Sequence, residues 1–155
     1  MKMSVNKLME TASLFWRSRI ILTAFELKIF TALGQRRKTS TEVAKAIKAN
    51  ARATDRLMNA LCAMGLLVKR NNKFSNTDVT SRFLIEGRPH FLGGFGHFSN
   101  LWDDWSNLTK AVKEGRNVSK KRLVNQKDKY FKAFIAAMHA RACESAPSLI
   151  RLLDL

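Results

Sequence analysis

Between Thr39 and Asn76 the chain carries a fixed order of start and stop signals that leaves few folds open. Thr39, followed three residues later by Glu42, forms a capping box, in which a side-chain oxygen and a carboxylate satisfy each other's exposed backbone N–H groups at a helix start. Val43, Ala44 and Ile47 supply the buried stripe of that short helix. After the turn at Ala49-Asn50-Ala51, a second helix is expected from about Thr54 to Met64, with Leu57, Ala60, Leu61 and Met64 facing inward. Gly65 is placed to close it in the left-handed conformation. Leu66 to Arg70 and Lys73 to Asn76 then flank Asn71-Asn72, a pair that tolerates the positive φ angles of a tight hairpin turn. Two helices joined by a short turn and followed by a hairpin make a winged helix-turn-helix.

The flanks read as further helices. Residues 4–33 hold apolar positions at helical spacing, among them Leu8, Ala12, Phe15, Trp16, Ile20, Ala24, Leu27, Ile29 and Phe30, and stop at Gly34. They predict two or three helices with little loop between them. Gln35-Arg36-Arg37-Lys38 reads as a linker, and Thr77–Leu84 as a short helix ended by Gly87-Arg88-Pro89. One longer helix is expected over 90–113, rich in aromatic residues (Phe91, Phe95, Phe98, Trp102, Trp105), and Gly115-Arg116-Asn117 ends it. A basic loop then leads to a last helix from Asp128 to about Glu144, after which Pro147 is expected to kink it or open a new one. The organisation expected is a helical and winged-helix domain over 1–113, a basic loop over 114–127 and a terminal helical segment over 128–155.

With 155 residues, 46% of them apolar, the chain can bury one ordinary core. Its longest near-continuous apolar stretch, Ile20 to Phe25, is too short to span a bilayer, and the N-terminus lacks the apolar run of a signal peptide. A soluble cytoplasmic chain without membrane contact is the expectation. Cys62 and Cys143 lie in separate helical stretches with no CxxC, and read as small buried side chains rather than a disulfide or a metal site. The formal charge of +16 invites a nucleic-acid reading. It is spread, however: +6 over 1–38, +5 over 39–76, −2 over 77–106, +7 over 107–132 and 0 over 133–155.

Each chemistry-bearing cluster has a plainer reading. A helix-turn-helix reads DNA when its second helix presents base-reading groups and its wing touches phosphates. Arg52, Arg56 and Asn59 fit the first role, and Lys69, Arg70 and Lys73 the second, but Asp55 on the same helix repels phosphate. Gly93-Gly94-Phe95-Gly96 does not match a nucleotide-binding glycine loop and reads instead as a helix start or a close helix approach. His97 with Asp103 or Asp104 has the makings of a base and its orienter, yet no nucleophile motif accompanies them, and no histidine pair has metal-ligand spacing. No catalytic, cofactor-binding or metal residues are therefore assigned. Tyr130, Phe134 and Met138 stack along one helix face at four-residue spacing. Such a stripe is ordinarily core, and equally suits the wall of a flat apolar pocket.

Taken in order, several stretches resemble the N-terminal region of S-adenosylmethionine-dependent O-methyltransferases of the acetylserotonin, plant small-molecule and bacterial natural-product type. They are Phe15-Trp16-Arg17-Ser18-Arg19 with Ala24 to Phe30, Ser40-Thr41-Glu42-Val43-Ala44, Arg56-Leu57-Met58 with Ala60-Leu61 and Met64-Gly65-Leu66-Leu67, Phe74-Ser75-Asn76-Thr77, and Leu101-Trp102-Asp103-Asp104-Trp105-Ser106-Asn107-Leu108. The resemblance covers nearly the whole chain. It implies a mainly α fold, a winged helix with extra N- and C-terminal helices that interlock two subunits, and a winged helix used for dimerisation rather than for DNA. It also implies that Tyr130, Phe134 and Met138 wall an acceptor pocket.

In that family a segment like Leu152-Leu153-Asp154-Leu155 leads into the glycine-rich cofactor loop and then to the catalytic histidine, and neither is in this sequence. The chain is thus expected to be inactive alone, as a fragment, an isolated domain or a naturally shortened relative, with S-adenosylmethionine and a small-molecule hydroxyl acceptor belonging to the parent enzyme. Phe15, Trp16, Ile20, Ile21, Phe25, Trp102 and Trp105 are expected to line a homodimer interface, which for an obligate dimer buries upwards of roughly 2,000 Å². Two other expectations stand beside this one: a dimeric winged-helix DNA-binding regulator, and an interaction module that pairs with a full-length relative.

Overall fold

A computed structural model of the chain describes residues 3–118 and 127–153, with the side chains of 3–118, 131–143 and 145–153. It divides into two units, Met1–Phe91 and Leu92–Leu155.

In the first unit, α1 spans Val5–Glu26 and starts on Ser4, whose side chain accepts from the Lys7 N–H. Its second half enters the core through Leu22 and Ala24. The helix ends because Lys28 turns left-handed at φ 56°, and α2 (Ile29–Leu33) begins at the next residue. Ile29, Phe30 and Leu33 are fully buried there. The predicted capping box opens α3 (Ser40–Ala46): Glu42 Oε2 accepts from the Thr39 N–H at 2.7 Å, and the Glu42 N–H donates to Thr39 Oγ1 at 3.3 Å.

Asn50 caps α4 (Ala51–Ala63), accepting from the Ala53 N–H at 3.0 Å. The deepest line of α4 is Thr54, Met58 and Leu61, while Leu57, Ala60 and Met64 are half-buried. The stripe expected from periodicity is therefore rotated by about one residue. Apolar side chains occupy three adjacent lines of this helix, and its packing partner selects among them. Gly65, at φ 73°, closes α4 with paired bonds, its own N–H to the Cys62 carbonyl and the Leu66 N–H to the Leu61 carbonyl, both at 2.9 Å. That pattern is the Schellman motif, and it returns the chain directly into the wing.

The wing is β1 (Leu67–Arg70) paired antiparallel with β2 (Lys73–Asn76), in the register Leu67 opposite Asn76 and Arg70 opposite Lys73. Asn71 and Asn72 hold φ 49° and 59°, as a two-residue hairpin turn demands. The expected linker contributes more than a connection, because Lys38 bridges to Phe74 through two backbone hydrogen bonds of 3.0 and 2.7 Å. Asn76 reaches back to α2, its Nδ2 donating to the carbonyls of Phe30 at 2.9 Å and Gly34 at 2.8 Å. The helix α5 (Asp78–Phe83) is capped by Thr77, and the buried Thr80 hydroxyl donates to the Leu66 carbonyl at 3.1 Å. A mainly α winged helix with a short hairpin wing is thus the observed fold.

In the second unit the single helix expected over 90–113 is two: α6 (Phe95–Trp105) and α7 (Leu108–Glu114). Ser106 and Asn107 divide them by competing for α6's last carbonyls, Ser106 Oγ donating to Trp102 O at 2.8 Å and Asn107 Nδ2 to Asp103 O at 2.6 Å. Gly115, left-handed at φ 62°, ends α7 as expected. Helix α8 runs from Lys127 to Leu152 with Pro147 inside it, so the proline starts no new helix. Proline removes one N–H, and with it the single bond to the Cys143 carbonyl, while the turns on either side keep theirs. Most of the expected basic loop, residues 119–126, lies outside the described residues.

Candidate functional site

Helix α1 presents its first half to solvent with an apolar surface. Val5, Leu8, Met9, Leu14, Phe15 and Trp16 are all exposed. Phe15 and Trp16 keep 52% and 62% of their surface, their rings meeting edge to face at 5.6 Å. Leu8, Ala12 and Phe15 share one line of the helix and Val5, Met9 and Trp16 the next, which makes a broad stripe rather than scattered positions. Further along, Ile20, Ile21 and Phe25 are half-buried, and Phe25 lies stacked on Phe91 at 5.8 Å. The seven residues expected at an interface thus fall into two groups. Phe15, Trp16 and Trp105, the last 68% exposed, are open, while Ile20, Ile21, Phe25 and Trp102 are partly covered within the chain.

In the second unit α6 and α8 approach closely at Gly94 and Ala137. A Cβ placed on Gly94 would stand 2.6 Å from the Ala137 Cα, so only glycine permits this crossing. The approach sets the His97 ring edge-on against Phe134 at 5.5 Å. Phe134 retains 42% exposure and Met138 37%, beside the exposed Phe131 and Ile135. The apolar face of α8 is therefore only half covered by α6. Tyr130 belongs to α8, but its side chain lies outside the described residues. Periodicity found the Phe134–Met138 line; Phe131 and Ile135 extend it and were missed, although they repeat at the same four-residue spacing.

Among the described residues no group of three or more metal-ligating side chains assembles. Cys62 is half-buried, and burial pushes its thiol up from the ordinary value. Cys143 is exposed, not buried as expected, because it lies on the open side of α8, where its Sγ stands 3.5 Å from Nε2 of His139 one turn earlier. The paired strands described are those of the wing and the Lys38 bridge, and Gly94 is committed to packing on Ala137. Among the described residues no strand leads through a glycine-rich turn into a helix, the arrangement of the dinucleotide-binding fingerprint. No helix of the described residues is long and apolar enough to cross a membrane.

The outer face of α4 bears on the DNA expectation. Asn59 donates from Nδ2 to the Asp55 carbonyl and to Asp55 Oδ2, both at 2.8 Å, and its Oδ1 accepts from Lys69 Nζ at 2.9 Å. Its amide is used up inside the protein, whereas reading adenine requires both ends of that amide.

A family model described as the O-methyltransferase dimerisation domain matches residues 9–86, the span from the second turn of α1 to just past α5. This chain belongs to that family. Among curated relatives, the chain is 29% identical over 158 residues to a human probable bifunctional dTTP/UTP pyrophosphatase/methyltransferase protein, covering 90% of this chain and 25% of that one. Among solved structures it resembles an O-methyltransferase family protein from Burkholderia thailandensis with a TM-score of 0.80 at 24% identity, over 96% of this chain and 45% of that one. It also resembles human N-acetylserotonin methyltransferase in complex with SAM, with a TM-score of 0.75 at 20% identity, over 97% and 49% of the two chains. The chain thus spans about a quarter of that curated relative and under half of either solved structure.

Proposed function

We propose that this chain is the dimer-forming and acceptor-covering part of an S-adenosylmethionine-dependent small-molecule O-methyltransferase. The observation that carries the reading is the wet aromatic stripe of Phe15 and Trp16 on α1, next to a winged-helix core that is otherwise complete. Burying one such side chain contributes about 1.5–3 kcal/mol, so a second copy that covers the stripe gains substantially. Ile20, Ile21 and Phe25 continue this surface along α1, and in the second unit Trp105, with the half-buried Trp102, contributes interface residues of its own. S-adenosylmethionine is the methyl donor in this reading, no residue of these 155 is assigned to hold it or to act as the general base, and Phe134 and Met138 wall the acceptor's apolar side.

Two measurements test this. Trp16→Glu combined with Phe15→Glu converts a dimer into a monomer with unchanged helix content, as read by sedimentation and circular dichroism; a double variant that stays dimeric contradicts the interface. Titration of S-adenosylmethionine into the chain gives no binding heat, and clear binding contradicts this part of the reading.

A further inference from the structure

Residues 36–73 hold ten lysines and arginines against two acids, a net +8 that is half the charge of the protein in about a quarter of its length. The fold gathers part of this charge on one face. Arg52 and Arg56 are exposed one turn apart on α4. Asn59 continues their line and receives Lys69 Nζ from β1 at 2.9 Å, which ties the wing to that line. At the wing tip Arg70 stands directly opposite Lys73.

None of these five cations forms an ion pair among the described residues. Both acids of the segment are turned to local duties, Glu42 to the α3 cap and Asp55 to Asn59. Like charges directly opposite on a hairpin lower its stability, so the Arg70–Lys73 pair works against the wing it sits on. Nothing in the packing of the wing requires it, since Leu67 and Phe74 supply the buried contacts there.

We propose that the α4 and wing face of Arg52, Arg56, Lys69, Arg70 and Lys73 binds the phosphate backbone of duplex nucleic acid without reading its sequence. The chemistry fits in two respects. The cations form no ion pair among the described residues, Lys69 resting instead on Asn59 and over the Phe74 ring, and they span a helix and its adjoining wing, the two elements that a winged helix lays along a duplex. The amide best suited to reading bases from α4, Asn59, is spent on Asp55 and Lys69, and the Asp55 carboxylate beside it opposes close approach to base edges, which leaves α4 with backbone contacts. The vesicle alternative lacks an apolar component here, because Val68 is the sole large apolar side chain exposed on either wing strand.

The test is fluorescence anisotropy of a labelled duplex with the whole chain, across a salt series beginning near about 50 mM. Binding is expected at micromolar protein, equal within twofold for two unrelated sequences. The plot of log affinity against log salt should have a slope of about −4 to −5 for five phosphate contacts. The variant Arg52→Ala, Arg56→Ala, Arg70→Ala should weaken binding at least tenfold and make the slope shallower by about 3. A control, Lys113→Ala, Arg141→Ala, Arg151→Ala, removes the same charge from exposed sites in the second unit and should change affinity less than threefold. Any of four results overturns the proposal: no binding at low salt, equal loss in the two variants, strong preference between sequences, or tighter binding to phosphatidylcholine–phosphatidylserine vesicles than to the duplex. All substituted side chains are exposed, and matched thermal unfolding confirms that each variant folds.

Discussion

Two residues act through contacts that a sequence window cannot display. Gly94 permits α6 to cross α8 because any Cβ there would collide with the backbone of Ala137. Gly94→Ala should therefore lower stability by about 1–3 kcal/mol, the usual cost of overpacking. Urea unfolding followed by tryptophan fluorescence checks this, since Trp102 and Trp105 both lie on α6. Asn76 closes the end of α2 by donating to two carbonyls, and Asn76→Ala leaves Phe30 and Gly34 short of a donor, at about 1–3 kcal/mol by the same measurement. Glu42 adds a pH dependence. The Thr39 backbone N–H, then its hydroxyl, holds the Glu42 carboxyl below its ordinary value of 4.5. A depressed carboxyl stabilises the folded state fully above its unfolded value and loses that contribution as pH falls through the folded one. The stability advantage of the native chain over Glu42→Gln should accordingly be flat near neutrality and shrink as the solution is acidified below 4.5.

At the scale of elements, what was legible in the sequence was what is settled locally. The Thr39–Glu42 cap, the Gly65 stop and the Asn71-Asn72 turn each rest on residues within a few positions of one another, and each stands where the sequence places it. The Lys38 bridge to Phe74 and the Asn76 bonds to α2 join positions far apart in the chain, and no local pattern encodes the partner. The α4 stripe was misplaced by one residue because three adjacent lines of that helix are apolar. The break at Ser106-Asn107 had a signal, two side chains suited to capping carbonyls, which the aromatic run on either side outweighed. Of the candidate site, the sequence identified the apolar residues on α1 and α8. Their exposure was not legible, since periodicity marks an apolar face without saying whether the same chain covers it. The wing offers its own check. Replacing Asn71 with Val puts a β-branched residue at positive φ, and should lower the melting temperature while leaving α1 helicity intact by circular dichroism.

For the whole molecule, a protein that belongs to the O-methyltransferase dimerisation family places its first unit around a well-packed winged helix and leaves an aromatic stripe of α1 in solvent. Winged-helix architecture by itself points equally to a nucleic-acid reader. The committed amide of Asn59 and the wet stripe separate the two roles: on the proposed reading the stripe serves subunit association, and the α4 amide placed to read bases is spent inside the protein. Subunit association is the central claim, and sedimentation equilibrium of the native chain at micromolar concentration tests it most directly. The account predicts a single species at twice the 17.6 kDa chain mass that persists on dilution; a stable monomer at that concentration would contradict it.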